Sequence, residues 1–182
     1  ALAAAGAQVR FGAGWQQVAS SMQKAAAVFG PSPRSGALGA VLSSIRALEG
    51  TTGSCYRALA VFADDVDVPI ALLERYWTAL GLDIEARGVQ VMIDELAARN
   101  LVTVTGTAVR LHDDQRDVLL LLSASLVDLH RCLVDSARSM LDDPSAWWSL
   151  PESEVYLEAH LARHLDGVGL VEKAVGTVTK AL

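Results

Sequence analysis

Apolar residues recur along this chain at three- and four-residue intervals over most of its length, the spacing of helices that bury one face. Two short helices are expected over residues 1–9 and 15–28, separated by the glycine-bearing turn Phe11-Gly12-Ala13-Gly14. The polar run Pro31-Ser32-Pro33-Arg34-Ser35-Gly36 reads as a loop, and Leu38, Val41, Leu42 and Ile45 mark a third helix over residues 37–48.

From Gly53 the punctuation places three helical segments before two short extended ones. A helix over residues 54–62 comes first. Pro69, at a first-turn position, opens the next, with Ile70, Leu73, Trp77 and Leu80 on one face. Asp83 is expected to cap the third, whose apolar stripe is Val89, Met92, Ile93 and Leu96. Two β-prone runs, Leu101-Val102-Thr103-Val104 and Ala108-Val109-Arg110-Leu111, then flank Thr105-Gly106-Thr107 as a hairpin. Three helices followed by a hairpin is the order of a winged helix.

Beyond the hairpin, Asp113 or Asp114 is expected to cap a long helix reaching about Leu141, with Val118, Leu122, Leu126, Leu129 and Leu133 along one face. Asp142-Asp143-Pro144 ends it, Trp147-Trp148 follows, Pro151-Glu152-Ser153-Glu154 starts a helix through Leu165, and a last helix begins at Val168. The expected fold class is mainly α, with helical segments flanking a winged-helix domain that carries a small β-hairpin wing.

Composition narrows the function more than the fold. With 52% hydrophobic and 20% charged residues in 182, the chain is apolar enough to fold and long enough for one good core or several small units. The unbroken apolar run Val118 to Leu122 is far too short to cross a bilayer, so no membrane association is expected. A net charge of −6 argues against a protein that gains affinity by neutralising nucleic-acid phosphates. Cys55 and Cys132 each sit in an apolar helical pattern and read as reduced core thiols, which points to the cytoplasm. Ala1-Leu2-Ala3-Ala4-Ala5 lacks a basic leader and reads as the inside of a helix, the look of a cut end.

Several side-chain groupings invite chemistry, and each has a plainer reading. His160 and His164 stand four apart on one helix, a spacing that suits a metal, but a third ligand is missing and Glu158 falls on another face. Cys132 near His130 on one helix does not make a nucleophile and base, and a packed thiol is expected. Asp64, Asp65 and Asp67 do not fit the twelve-residue calcium loop and read as a solvated turn. Trp77, Trp147 and Trp148 read as core or interdomain anchors.

The run Tyr56-Arg57-Ala58-Leu59-Ala60-Val61-Phe62, then Val68-Pro69, Trp77, Asp94-Glu95-Leu96, Leu101-Val102 and finally Leu111-His112-Asp113 resembles the winged-helix part of NB-ARC proteins. These are STAND-class signalling ATPases that include apoptotic protease-activating factor and plant resistance proteins. In them the last triplet is the MHD motif, and Leu111 stands here where many members have Met, a volume-conserving change. Leu2 to Arg10 and Trp15 to Met22 are similar to the end of the family's first helical domain, although its Gly-Leu-Pro-Leu segment is absent. Tyr156-Leu157, His160-Leu161 and His164-Leu165 resemble the opening of its second helical domain.

The resemblance implies a division into residues 1–50, the end of the first helical domain, 51–113, the winged helix, and 114–182, a long helix and the start of the second helical domain. It implies an autoinhibitory, ADP-sensing role in signal transduction, with His112 contacting the β-phosphate of ADP once the nucleotide-binding domain is present. Asp113 would position that contact or cap the helix beside it. The sequence holds no Gly-x-x-x-x-Gly-Lys-Ser/Thr run, so the chain by itself is not expected to be an enzyme, and ADP or ATP belongs only to a full-length parent. The implied partners are the chain's own nucleotide-binding domain and a C-terminal repeat sensor, with oligomerisation in the activated parent.

The alternative is a winged-helix DNA-binding transcriptional regulator. Charge weighs against it. From Ser54 to His112 acids outnumber bases by eight to five, and Asp83, Glu85, Asp94 and Glu95 around the third helix face only Arg87 and Arg99.

Overall fold

A computed structural model describes residues 33–48, 50–84, 88–123 and 125–170, together with residues 16, 19, 20 and 23. The helices expected over residues 1–9 and 15–28 lie outside these residues except at those four positions, which are helical and exposed. Over the described residues the chain is mainly helical, with a small three-stranded antiparallel sheet. Among them, no helix is long and apolar enough to cross a membrane.

Helix α1 spans Pro33–Arg46, which corrects the loop expected over Pro31 to Gly36. Proline at the first helical position loses no hydrogen bond and brings a preset φ, so Pro33 starts the helix instead of breaking it. Leu38, Val41 and Ile45 form its buried face. Helix α2, Gly50–Ala58, tightens into a 3-10 turn at Leu59–Val61. The buried Tyr56 hydroxyl donates to the Leu101 carbonyl at 3.2 Å and ties this helix to the segment before the hairpin.

Helix α3, Ile70–Ala79, buries Leu72, Leu73, Tyr76 and Trp77, with Pro69 at its N-cap, one position earlier than expected. Left-handed Gly81, at φ +71°, lets Leu82 N–H reach back to the Trp77 carbonyl at 3.1 Å and stops the helix. Helix α4, Val89–Ala98, does not start at Asp83. Its N-cap is Gly88, at φ 77° and ψ 138°, where the chain turns in a way that side chains resist, and the helix propagates from there. Met92, Ile93 and Leu96 are buried as expected.

The strands are β1 (Asp67–Pro69), β2 (Thr103–Thr105) and β3 (Ala108–Arg110), in the order β1-β3-β2. Val109 pairs with Val68 on one side and Val104 on the other. Hydrophobic alternation does not mark β1, because three residues ending in proline carry too little of it. Its position at a sheet edge suits Pro69, which has no N–H for the ladder.

The long helix expected from Asp113 to Leu141 is two helices, α5 (Asp113–Leu122) and α6 (Leu126–Arg138). Ser123 Oγ donates back to the Leu119 carbonyl at 2.8 Å while its backbone turns extended. Ser125 then accepts from Asp128 N–H at 3.3 Å and caps α6. Serine hydroxyls compete for backbone groups in this way, and Ser-x-x-Asp is a helix start that an apolar stripe overrides on paper only. The break leaves Leu121 and Leu122, at 64% and 39% exposure, outside the core.

After a 3-10 turn at Trp147–Ser149, helix α7 (Val155–Gly167) packs along α6. The helix expected from Val168 begins instead as the turn that closes α7, where Leu170 N–H bonds the Leu165 carbonyl at 2.8 Å. Its remainder lies outside the described residues. One continuous core runs from Leu38 to Leu165, with Phe62 edge-on to Tyr76 at 5.5 Å and to Tyr156 at 5.3 Å.

Candidate functional site

His112 stands where β3 gives way to α5, after buried Leu111 and at the N-cap of the helix, with φ −80° and ψ 160°. The residue takes extended backbone there because α5 starts on the next residue. Asp113, expected as a possible cap, is the first helical residue, and its carboxylate accepts from Asp114 N–H at 2.7 Å. Both carboxylates suit the positive end of a helix dipole.

Two residues far away in sequence hold the ring. Asp65 Oδ1 lies 2.9 Å from His112 Nδ1, and Thr103 Oγ1 lies 3.1 Å from Nε2. Asp65 is brought there by a left-handed backbone, φ +55°, and by its own N–H donating to the Leu111 carbonyl at 2.8 Å. Thr103 comes from the edge strand β2. The site is open: the His112 and Asp65 side chains are 49% and 60% exposed.

The carboxylates expected to form a solvated turn are each engaged. Asp67 accepts a fork from Arg110 at 2.9 and 2.8 Å, and this hydrogen bonding holds its carboxyl below the usual carboxylate range. Asp64 lies 3.7 Å from Arg116, whose Nε donates to the Phe62 carbonyl at 2.7 Å. Burial, more than any neighbour, pushes the Arg116 guanidinium down. Among the described residues, no group of three or more His, Cys, Asp or Glu is arranged for a metal.

His160 and His164 stand in different surroundings. His164 is fully buried, with the Tyr156 hydroxyl 3.1 Å from its Nε2 and His130 Nδ1 2.9 Å from its own Nδ1. His160 lies over the Tyr156 ring at 4.6 Å between centroids. Burial first, then His130, Arg163 and His160, push His164 down to about 3. Cys132 is a half-buried free thiol, raised by burial, and Cys55 is buried and pushed up to about 12. Trp77 and Trp147 are buried, whereas Trp148 is 51% exposed. A cavity of about 290 Å³ opens beside the α5–α6 break, between Arg57, Leu80, Leu82 and Leu122, away from His112.

Carboxylate, imidazole and hydroxyl in line can orient a ring and fix its tautomer. His112 was legible from sequence as a strand-end histidine, but Asp65 and Thr103 were not, because their approach depends on β1 and on one left-handed residue. No family model matches the chain, and no curated protein matches it.

Proposed function

We propose that this chain is the autoinhibitory, ADP-sensing regulatory part of a STAND-class signalling switch, and that residues 51–113 form its winged helix. Residues 1–50 end a first helical domain and 114–182 open a second. The observation that carries the reading is the setting of His112: an exposed imidazole at a helix N-terminus, oriented by Asp65, on the residue that matches the histidine of the MHD motif. An N–H of such a ring makes a charge-assisted hydrogen bond to phosphate, and a contact made only with ADP bound biases a two-state equilibrium toward the closed state. The helix–strand–helix–helix–strand–strand order also supports it, since β1 widens the hairpin into a three-stranded sheet of the kind a winged helix carries.

The surroundings of His112 fit a latch that works only beside a nucleotide-binding domain. Asp65 contacts His112, Asp64 and Asp113 are their chain neighbours with Asp114 one residue further, and Arg110 and Arg116 are already engaged. Most of the affinity for a diphosphate therefore comes from the phosphate-cradling domain of the parent, and this module adds a latch. In this reading the chain is a non-enzymatic cytoplasmic module whose partners are that domain and a C-terminal sensor.

No observation favours the DNA-binding alternative. The exposed side of α4 carries Gln90, Val91 and Asp94, with Gln90 donating to Asp94 at 2.8 Å, and Arg99 is held by Glu95 at 3.2 Å. The coding sequence upstream of Ala1 tests the proposal. An in-frame Gly-x-x-x-x-Gly-Lys-Ser/Thr within about one or two domain lengths is the expected result. A start codon close to Ala1 with no such run would contradict it.

A further inference from the structure

We infer that Asp65 is the positioning residue that makes Nε2 the working atom of His112, and that Thr103 is the chain's own competitor for that atom against a phosphate oxygen of a nucleoside diphosphate. The phosphate half rests on the function proposed above. The setting of the ring rests on geometry alone.

An ionised carboxylate only accepts hydrogen bonds, so the proton between Asp65 and His112 belongs to Nδ1. The neutral ring then presents Nε2 as a lone pair, and the Thr103 hydroxyl, 3.1 Å away, donates into it. A phosphate oxygen is also an acceptor and has nothing to gain from a lone pair. To meet it, the ring takes a second proton at Nε2 and becomes an imidazolium between two anions, each of which favours the charged form. Thr103 loses its acceptor in that exchange and turns its hydroxyl to the phosphate or to water.

Starting from the neutral ring, the exchange of hydroxyl for phosphate carries proton uptake with it. The charged groups on the elements that meet at the ring are Asp64, Asp65 and Asp67 from the loop and β1, Arg110 from β3, and Asp113, Asp114 and Arg116 from α5, with Asp65 in contact with it. Arg110 is closed by its fork to Asp67, and Arg116 is committed to Phe62, so the proton-coupled step centres on His112.

The ring geometry is tested on the 182-residue chain by 15N NMR of the imidazole nitrogens at alkaline pH. The expected result is protonated Nδ1 and bare Nε2 on His112. Asp65→Gly, which suits the left-handed backbone, moves the proton toward Nε2 with the remaining spectrum intact. An unchanged tautomer in that variant would overturn the positioning role.

The competition is tested by ADP release from the full-length parent. Thr103→Val is expected to slow release about threefold, and Asp65→Gly to speed it about tenfold, with no further effect once His112→Ala is present. Calorimetry in buffers of different ionisation enthalpy should show proton uptake on ADP binding that His112→Ala removes. If His112→Ala changes neither release nor proton uptake, the latch reading fails while the tautomer result stands. If only Thr103→Val is silent, the competitor role fails.

Discussion

His130 and His164 meet Nδ1 to Nδ1 at 2.9 Å inside the seam between α6 and α7, so one ring donates and the other accepts, and both cannot be charged. The Tyr156 hydroxyl lies 3.1 Å from His164 Nε2, and when it donates there, His164 Nδ1–H is left to donate to His130. The seam is thus held by three neutral groups in line.

That arrangement makes stability depend on pH. The folded His164 value lies near 3, below its ordinary 6.5, so the unfolded chain binds more protons between those limits. His130 is lowered too, by burial first and then by Arg163 and Arg116, with Asp166 as the opposing carboxylate. Stability is full above pH 6.5 and falls as pH drops toward 3, at a slope approaching about tenfold in the folding constant per unit from His164 alone. Urea unfolding across that range checks this. A slope unaffected by His164→Gln would contradict it.

Gly167 allows the seam to close. A Cβ there would lie 2.6 Å from the His130 ring, closer than atoms pack, and the ring is pinned by His164. Gly167→Ala is expected to cost about 1–3 kcal/mol through overpacking. His130→Ala in the same chain should return part of that loss, which a double-mutant cycle measures; strict additivity would contradict the assigned clash.

Arg75 and Glu154 join α3 to the start of α7 by a fork of 2.9 and 2.8 Å, with side chains only 26% and 15% exposed. Glu154→Ala should destabilise by about 1–3 kcal/mol, and a cycle with Arg75→Ala should show a coupling of at least about 0.5 kcal/mol. A coupling near zero would mean the pair is idle.

Helical periodicity made the buried faces of α1, α3 and α4 legible, because Leu38, Val41, Leu73, Trp77, Met92 and Ile93 repeat as a helix does. It failed where small polar atoms decide. Ser123 and Ser125 break the long apolar stripe after Val118, and Gly88 displaces the start expected at Asp83. The candidate site was half legible for a similar reason. His112 is conspicuous, whereas Asp65 and Thr103 reach it across 47 and 9 residues through a three-residue strand and a single left-handed turn.

The proposed latch makes His112 the contact through which this module holds ADP in the parent protein. The direct measurement is the rate at which labelled ADP leaves that protein, with and without His112→Ala. Loss of a hydrogen bond to phosphate predicts release faster by about tenfold or more, together with higher basal signalling activity. An unchanged rate in a correctly folded variant would contradict the account and remove His112 from the latch.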